Sequence, residues 1–417
     1  MQPMDDMLEE DVRLRHKTQA DETSTLANSH ARDERRSSLS SPFFHLHPKW
    51  YRLLPRARWA WQGADPLEVE RGLSLIAAST QARTCDSRLD TVVGYRPGNW
   101  QYEWSQLGAV YGFAARKLVA EAPAQALEES IQAMTYYGIA AYPHMRGDVL
   151  AREAMVQMRE HYRTACQLAG IRLENLEARE GGKDTRGWLH LPQSEERVPV
   201  VVVMAGPDLC ALDFFNLYRR YLQPRGLGML TLDMDGCGDQ AELPMSERTE
   251  RPVQAMLALL KAHPWVQSDR ISGLGIRLGA LGLVRTAFLD DTAFRAVATI
   301  APWCHQALVD RELLAELPPM MRDCLASRLG VDGASEARLA LALGKLSLLR
   351  QGLLGRRRLN TPLLSLSIKD DPMVPPDDGA LLRLSCPQAK VYRLGRGKHF
   401  DMFDTLFGKA VTWLEQI

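Results

Sequence analysis

The chain has 417 residues, of which 46% are hydrophobic and 24% are charged. This length exceeds what one ordinary hydrophobic core accommodates, so we expect two domains. The 51 basic residues balance 51 acidic ones, which removes any overall charge that would favour a nucleic-acid or anionic-membrane partner. No apolar run approaches the roughly 20 residues that span a bilayer.

Residues 1–42 are polar, with an acidic beginning and a serine-rich end. We expect a mobile tail here, without the hydrophobic stretch of a secretory signal. The seven cysteines are scattered and never spaced as C-x-x-C. This usage indicates neither a disulfide framework nor a zinc site, and it is typical of a cytoplasmic protein.

Residues 43–170 predict a helical N-terminal domain, because apolar residues recur every three or four positions. This stretch is also rich in aromatic side chains. They indicate either the core of a helix bundle or a cap that offers some rings to a ligand. The helices are predicted at Leu67–Ser79, Trp100–Ala120, Ala126–Tyr137 and Val149–Leu168.

The periodicity changes after Gly170. A hairpin around Gly181-Gly182 is followed by short apolar runs that alternate with helical ones, which predicts a mostly parallel sheet flanked by helices. Residues 171–417 therefore form an α/β core, with a helical insertion at 306–358 above the carboxyl ends of the strands. The parallel strands are predicted at Val198–Met204, Gly228–Leu232, Ile271–Leu274, Ala296–Ile300, Pro362–Ser367 and Lys390–Leu394.

The pentapeptide Gly275-Ile276-Arg277-Leu278-Gly279 lies between a predicted strand and a predicted helix, Ala280–Phe288. Two glycines around a central residue at this junction are typical of the nucleophile elbow of an α/β-hydrolase. Arg277 stands where hydrolases of this fold carry serine. We therefore predict the α/β-hydrolase fold with an altered central residue.

Other loops supply candidate pocket residues. The loop after Met204 would provide an oxyanion-hole N–H from Gly206 or Asp208, because Pro207 has none, and Leu278 follows the elbow residue directly.

Asp235 and Cys237 lie on the loop after the next parallel strand. Cys237 is either a substitute nucleophile or a small buried thiol.

Asp371 and His399 follow the last two strands, in the chain order of the acid and base of a catalytic triad. Other interpretations stay open. Asp371 would also suit a helix N-cap, His399 a capping or core position, and Asp370 competes for the acid role.

The chain resembles the FrsA (fermentation–respiration switch) esterase-like family. The resemblance implies a helical N-terminal domain, a hydrolase core, arginine at the elbow, and a capacity to form homodimers. It also implies either an esterase or a cofactor-independent decarboxylase. The loop at Ala205-Gly206-Pro207 departs from the paired glycines of relatives. The stretches that carry the resemblance are His47–Tyr51, Asp90–Arg96, Gly98–Trp100, Ala140–His144, Pro264–Val266, the elbow, Ala326–Gly330 and Gln351–Arg357.

A guanidinium stays protonated and cannot act as the serine does. It binds carboxylate or oxyanion well, especially beside a helix N-terminus. We therefore predict an enzyme without metal or organic cofactor, in which Arg277 holds an anionic or carbonyl-containing small molecule. His399, oriented by Asp371, then transfers protons for lyase, decarboxylase or hydrolase chemistry. The alternative is a pseudo-hydrolase in which Arg277 forms a salt bridge with Asp233, Asp235 or Asp371.

Overall fold

The computed structural model describes Leu39, Ser41, Phe43 and residues 46–180, 182–369, 371–374, 376–395 and 401–417. Within these ranges no helix is both long enough and apolar enough to cross a bilayer. All seven cysteines are free, as expected from their spacing.

In the described part of the chain five helices precede the sheet, and side-chain caps explain where three of them begin. The Asp65 carboxylate accepts from the N–H groups of Leu67 and Glu68, while Asn99 and Asp148 cap the third and fifth helices. Such caps satisfy amide groups that have no partner within the helix. The four predicted helices are present, and a shorter one that was not predicted precedes them. The helices are α1 Arg56–Gln62, α2 Pro66–Ala78, α3 Trp100–Leu118, α4 Pro123–Ala141 and α5 Val149–Leu168.

A single eight-stranded sheet follows, in the order β1-β2-β4-β3-β5-β6-β7-β8. The β1–β2 hairpin is antiparallel and β2 pairs antiparallel to β4, whereas all the remaining pairs are parallel. The predicted fold class is confirmed. The strands are β1 Arg172–Glu180, β2 Lys183–Leu191, β3 Val198–Met204, β4 Gly228–Leu232, β5 Val266–Ile276, β6 Val297–Ile300, β7 Leu363–Ile368 and β8 Lys390–Leu394.

Helices cover the sheet, and four of them lie between β6 and β7, where the insertion was predicted. After β3 the chain forms a succession of short helical turns and not one continuous helix. These turns are Ala211–Phe214, Phe215–Leu217, Tyr218–Leu222 and Gln223–Arg225. The helices are α6 Arg251–Ala262, α7 Ala280–Leu289, α8 Gln306–Val309, α9 Arg311–Ala315, α10 Pro319–Leu329, α11 Glu336–Lys345, α12 Pro376–Ser385 and α13 Met402–Gln416.

The helical region and the sheet share one continuous set of buried apolar side chains. Polar contacts also join them. The Tyr162 hydroxyl on α5 lies 2.7 Å from His190 Nε2 on β2. Residue 170 therefore separates an all-helical stretch from the sheet and the helices that flank it. That the two parts are independent domains stays a prediction.

Arg328, on α10, is fully buried and forms another junction. Its guanidinium donates to the carbonyl oxygens of Pro143 and His144, at 2.7 and 2.6 Å, which follow α4. It also donates to those of Pro207 and Gly236, at 3.0 and 2.9 Å, in the loops after β3 and β4. One side chain of the insertion thus holds three segments above the sheet.

Candidate functional site

The elbow has the strained geometry expected of it. β5 ends at Ile276, Arg277 has φ +50°, and a short turn leads into α7. A Cβ atom at Gly275 would lie 2.5 Å from the Ala280 Cα, and one at Gly279 would lie 2.1 Å from the Ala205 carbonyl oxygen. Both positions therefore require glycine, because any other residue would overlap the backbone.

Arg277 is almost completely buried, with 3% of its surface exposed. Its Nη1 donates to Asp371 Oδ2 at 3.3 Å, and its Nη2 donates to the Ser41 hydroxyl at 3.2 Å. The guanidinium carbon lies 4.6 Å from the centre of the Phe43 ring and 5.2 Å from that of Trp303. Burial lowers the pKa of Arg277, while the charge of Asp371 acts in the opposite direction. A guanidinium in such surroundings still keeps its proton at neutral pH.

Asp371 lies directly after β7 and is buried. Its Oδ1 accepts from the Ser41 hydroxyl and from the Met373 N–H, both at 3.2 Å, so the carboxylate shapes the turn before α12. The predicted proximity of Asp371 and Arg277 is present, in the form of the direct ion pair that was the alternative interpretation. His399 and Asp370 lie outside the described residues, so the pairing of Asp371 with His399 stays a prediction.

Asp208 faces the same cavity as Arg277. Its Oδ2 pairs with Arg58 Nη1 at 2.8 Å. Burial raises the pKa of Asp208, but the charge and hydrogen bond of Arg58 and the charge of Arg277 together outweigh burial and hold that pKa below its ordinary value. Gly206, in the same loop, lies against the elbow, where an added Cβ would contact the Arg277 Cβ at 3.4 Å.

Three other predicted pocket residues lie away from this cavity. Asp235 and Leu278 line a separate small cavity, and Asp235 forms a buried ion pair with Arg251. Cys237 is buried, its thiol donates to the Leu209 carbonyl at 3.3 Å, and burial raises its pKa. These surroundings favour a small buried thiol over a substitute nucleophile.

The cavity in front of Arg277 is small, about 30 Å³, which accommodates one or two water molecules. Its wall combines Phe43, α1, the loop and first helical turn after β3, the elbow and α13. Both interpretations of the N-terminal aromatic side chains find examples: Trp61 lines this cavity, whereas Trp59, Trp100 and Trp104 pack against one another. The lining residues are Phe43, Arg58, Trp61, Gln62, Asp208, Leu209, Asp213, Phe214, Ile276, Arg277, Phe403 and Phe407.

Sequence reasoning missed Ser41, Phe43 and Arg58. Leu39 and Ser41 fall within the predicted tail, yet 7% and 2% of their surfaces are exposed. These two residues are therefore packed against other parts of the protein, while the expectation of a mobile tail over residues 1–42 stays a prediction. The rest of residues 1–42 lies outside the described part of the chain.

One group of side chains in the described ranges has the spacing to hold a metal ion: His144, Cys210 and Asp213 offer ligand atoms within 4.8 Å of one another. Asp213 already accepts from the backbone N–H of Cys210 at 2.8 Å. Burial, together with the nearby charges of Arg328 and Arg58, lowers the pKa of His144 to about 3. These positive charges disfavour an additional cation, so the group fits a metal poorly.

Comparisons with known proteins agree on one family. The sequence profile of the family described as Esterase FrsA-like matches residues 6–417. The chain is 37% identical over 367 residues to a protein named Esterase FrsA from Photobacterium profundum, covering 88% of each chain. It is also 37% identical over 366 residues to one with the same name from Vibrio cholerae, again covering 88% of both.

Solved structures support the fold. A 2,6-dihydroxy-pseudo-oxynicotine hydrolase is similar with a TM-score of 0.69 and 18% identity, covering 87% of this chain and 95% of the other. The protein AbyA5 is similar with a TM-score of 0.61 and 20% identity, covering 78% and 90%. At these identities the likeness concerns the architecture alone.

Proposed function

Because the chain belongs to the FrsA-like esterase family, we propose that it is an enzyme of the α/β-hydrolase fold that acts without a covalent intermediate at its elbow. The observation that carries the proposal is the position of Arg277. A buried guanidinium occupies the strained turn where other hydrolases present a hydroxyl, and it lines a cavity between the helical region and the sheet.

The chemistry follows from what a guanidinium can do. It cannot attack a carbonyl carbon, but it can stabilise negative charge that develops on a carbonyl or carboxylate oxygen. Its effect is strengthened by burial, because a low-dielectric surrounding weakens screening by water. We propose a small carbonyl- or carboxylate-containing substrate bound at Arg277, and chemistry of the hydrolase, lyase or decarboxylase class.

Proton transfer is assigned to His399, oriented by Asp371, as the chain order of the triad predicts. Gly206 and Asp208 border the cavity side of the elbow, where their N–H groups are candidates for a second oxyanion donor. We also propose a cytoplasmic location, because the cysteines are free, and a homodimer, because the family resemblance implies one.

The experiment compares Arg277→Ala and His399→Ala with the unaltered chain. The substrates are p-nitrophenyl esters and aryl 2-oxo acids, followed by release of nitrophenolate and carbon dioxide. We expect kcat/KM to fall by about a hundredfold or more in both variants. The surface variant Arg71→Ala is the matched control, because the side chain of this arginine is 68% exposed and its ion pair is with the neighbouring Glu68. Equal turnover in all four proteins would refute the site.

A fluorophosphonate probe tests the absence of a covalent serine mechanism. The probe labels activated serines, so we expect no labelling of the intact protein at Ser272, Ser41 or any other serine. Stoichiometric labelling, mapped to one serine by mass spectrometry, would replace this proposal with a conventional serine hydrolase.

The second candidate is a ligand-binding pseudo-hydrolase. The direct Arg277–Asp371 ion pair and the small cavity favour it, because both describe a site closed by its own side chains. It predicts ligand binding that depends on Arg277, with no turnover of either substrate class.

A further inference from the structure

We propose that the ligand of this cavity is a neutral carbonyl compound carrying a flat apolar group, such as an aryl ketone or aryl ester. In the ligand-free protein the Ser41 hydroxyl takes the position of its carbonyl oxygen, and the Phe43 ring takes the position of its flat apolar group. The inference rests on the proposed function, since it assumes that Arg277 binds the ligand. It narrows the substrate class from carbonyl or carboxylate to carbonyl.

The first argument is the position of the Ser41 hydroxyl. Its oxygen accepts from Arg277 Nη2 at 3.2 Å and from the Phe43 N–H at 3.3 Å, and it donates to Asp371 Oδ1 at 3.2 Å. An uncharged oxygen thus accepts a hydrogen bond from the guanidinium of Arg277. Such a position suits a carbonyl oxygen, which accepts hydrogen bonds in the same way.

The second argument is the Phe43 ring, which covers the face of the guanidinium with its centre 4.6 Å from the Arg277 Cζ. The ring also lies edge-on to Phe403, with centres 6.2 Å apart, and borders the cavity that Trp61 and Phe407 line. A flat apolar group adjacent to the carbonyl would find the same contacts, a cation on one side and aromatic edges on the other.

The third argument is charge. Among the described residues of the cavity, Arg277 is paired with Asp371 and Arg58 with Asp208. Asp213 adds a carboxyl whose pKa burial raises to about 6, so at neutral pH it contributes a further negative charge. A carboxylate ligand would meet no surplus positive charge among these groups. A carbonyl oxygen needs only an N–H donor, and it gains most when negative charge develops on it.

The fourth argument is size. The cavity accommodates only one or two water molecules, and the Phe43 side chain forms part of its wall. A ligand of this class therefore needs the space that the Phe43 ring fills, and truncation of that side chain should enlarge the site in proportion to the lost ring.

The experiment measures binding of three ligands of similar shape by isothermal titration calorimetry: acetophenone, benzoate and ethylbenzene. The proteins are the full-length chain, Phe43→Ala, and the double variant Phe43→Ala/Arg277→Met. We expect acetophenone to bind Phe43→Ala at least about tenfold more tightly than it binds the unaltered chain. We also expect Phe43→Ala to bind acetophenone about tenfold more tightly than it binds benzoate. That preference should vanish in the double variant, while ethylbenzene binds both variants alike. Ser41→Ala alone should strengthen acetophenone binding, because it removes the competing oxygen.

Benzoate binding as tight as acetophenone binding, or acetophenone affinity indifferent to Arg277, would overturn the inference. Circular dichroism checks that each variant folds, and Phe43→Leu replaces Phe43→Ala if the latter does not. The two proposals fail separately. Arg277-dependent acetophenone binding without turnover of aryl ketones or esters would refute the enzymatic function alone. Turnover confined to carboxylates would refute the carbonyl assignment alone.

Discussion

At the elbow, the backbone of a hydrolase is retained while the central side chain differs. A positive φ at Arg277 and the close approaches at Gly275 and Gly279 are required by the turn itself, independent of the residue it presents. An L-residue at φ +50° is strained by about 1–2 kcal/mol. The surrounding packing holds Arg277 in that conformation, and its guanidinium is fixed by Asp371, Ser41 and two aromatic faces.

Gly279→Ala should therefore destabilise the fold strongly. The added methyl group would lie 2.1 Å from the Ala205 carbonyl oxygen, so β3 and α7 would have to separate. We expect a loss of about 3 kcal/mol or more in the free energy of unfolding, measured by urea denaturation. Gly395→Ala is the matched control, because no atom of the described residues lies within 4 Å of its added Cβ. Equal stability of the two variants would contradict the packing argument.

Much of the site could be predicted from residue types and their order, but the contacts of Ser41 with Arg277 and Asp371 could not. The glycines of the elbow and the position of Asp371 after a strand predicted the Arg277–Asp371 proximity. Ser41 contacts residues 236 and 330 positions away in the chain. A serine-rich polar segment has the composition of a tail, and only tertiary partners of such sequence separation reveal that part of it is buried.

At the scale of secondary structure, the strands were predictable because strands buried on both faces of a parallel sheet are continuous apolar runs. α1 was missed because its seven residues span only two turns, too few to establish a period. The helical turns over 211–225 include Pro224, and the first of them begins where the Asp213 carboxylate accepts from the Cys210 N–H.

The contact between α5 and β2 predicts a dependence of stability on pH. Burial lowers the pKa of His190 to about 4, against about 6.5 in an unfolded chain. Between these values the unfolded chain binds the proton and the folded chain does not, so the free energy of unfolding decreases as the pH falls from about 6.5 to 4. The contribution of His190 is fully present above pH 6.5.

His190→Gln tests this dependence by urea denaturation at pH 7.5 and pH 5. The variant should be less stable at pH 7.5, because the hydrogen bond with Tyr162 is altered. Its disadvantage relative to the unaltered chain should shrink by on the order of 2 kcal/mol at pH 5, since glutamine does not titrate. His47→Gln, at an exposed position, is the control. A disadvantage that is constant with pH would contradict the prediction.

At the scale of the whole molecule, several stretches that carry the family resemblance are junctions between distant parts of the chain. Asp90 accepts from the N–H groups of Tyr51 and Arg52 and pairs with the Arg52 guanidinium. The Tyr51 hydroxyl contacts Asp323, on α10. The resemblance was visible in the sequence. The contacts that these residues make were not, because they join the helical region to the insertion, which are far apart in the chain.

Arg328→Met should show how much the junction above the sheet contributes. Methionine fills similar space but removes the guanidinium donor from the carbonyl oxygens of Pro143, His144 and Gly236, and leaves that of Pro207 with the Cys324 thiol alone. We expect the free energy of unfolding to fall by about 3–5 kcal/mol, because buried acceptors would lose charge-assisted hydrogen bonds. Arg338→Met, at an exposed position of α11, is the control. A change no larger than that of the control would show that water replaces the guanidinium.

The same junction constrains how a ribosome-bound chain can acquire its structure. Residues 143, 144, 207 and 236 are all synthesised well before Arg328, the donor that joins them. Until the insertion leaves the exit tunnel, the carbonyl groups of three segments must stay hydrated, and those segments cannot close over the strands as they do in the finished protein. N-terminal domains of many proteins fold while the remainder is being made. In this chain, completion of the region above the sheet has to wait until the insertion that carries Arg328 has been synthesised.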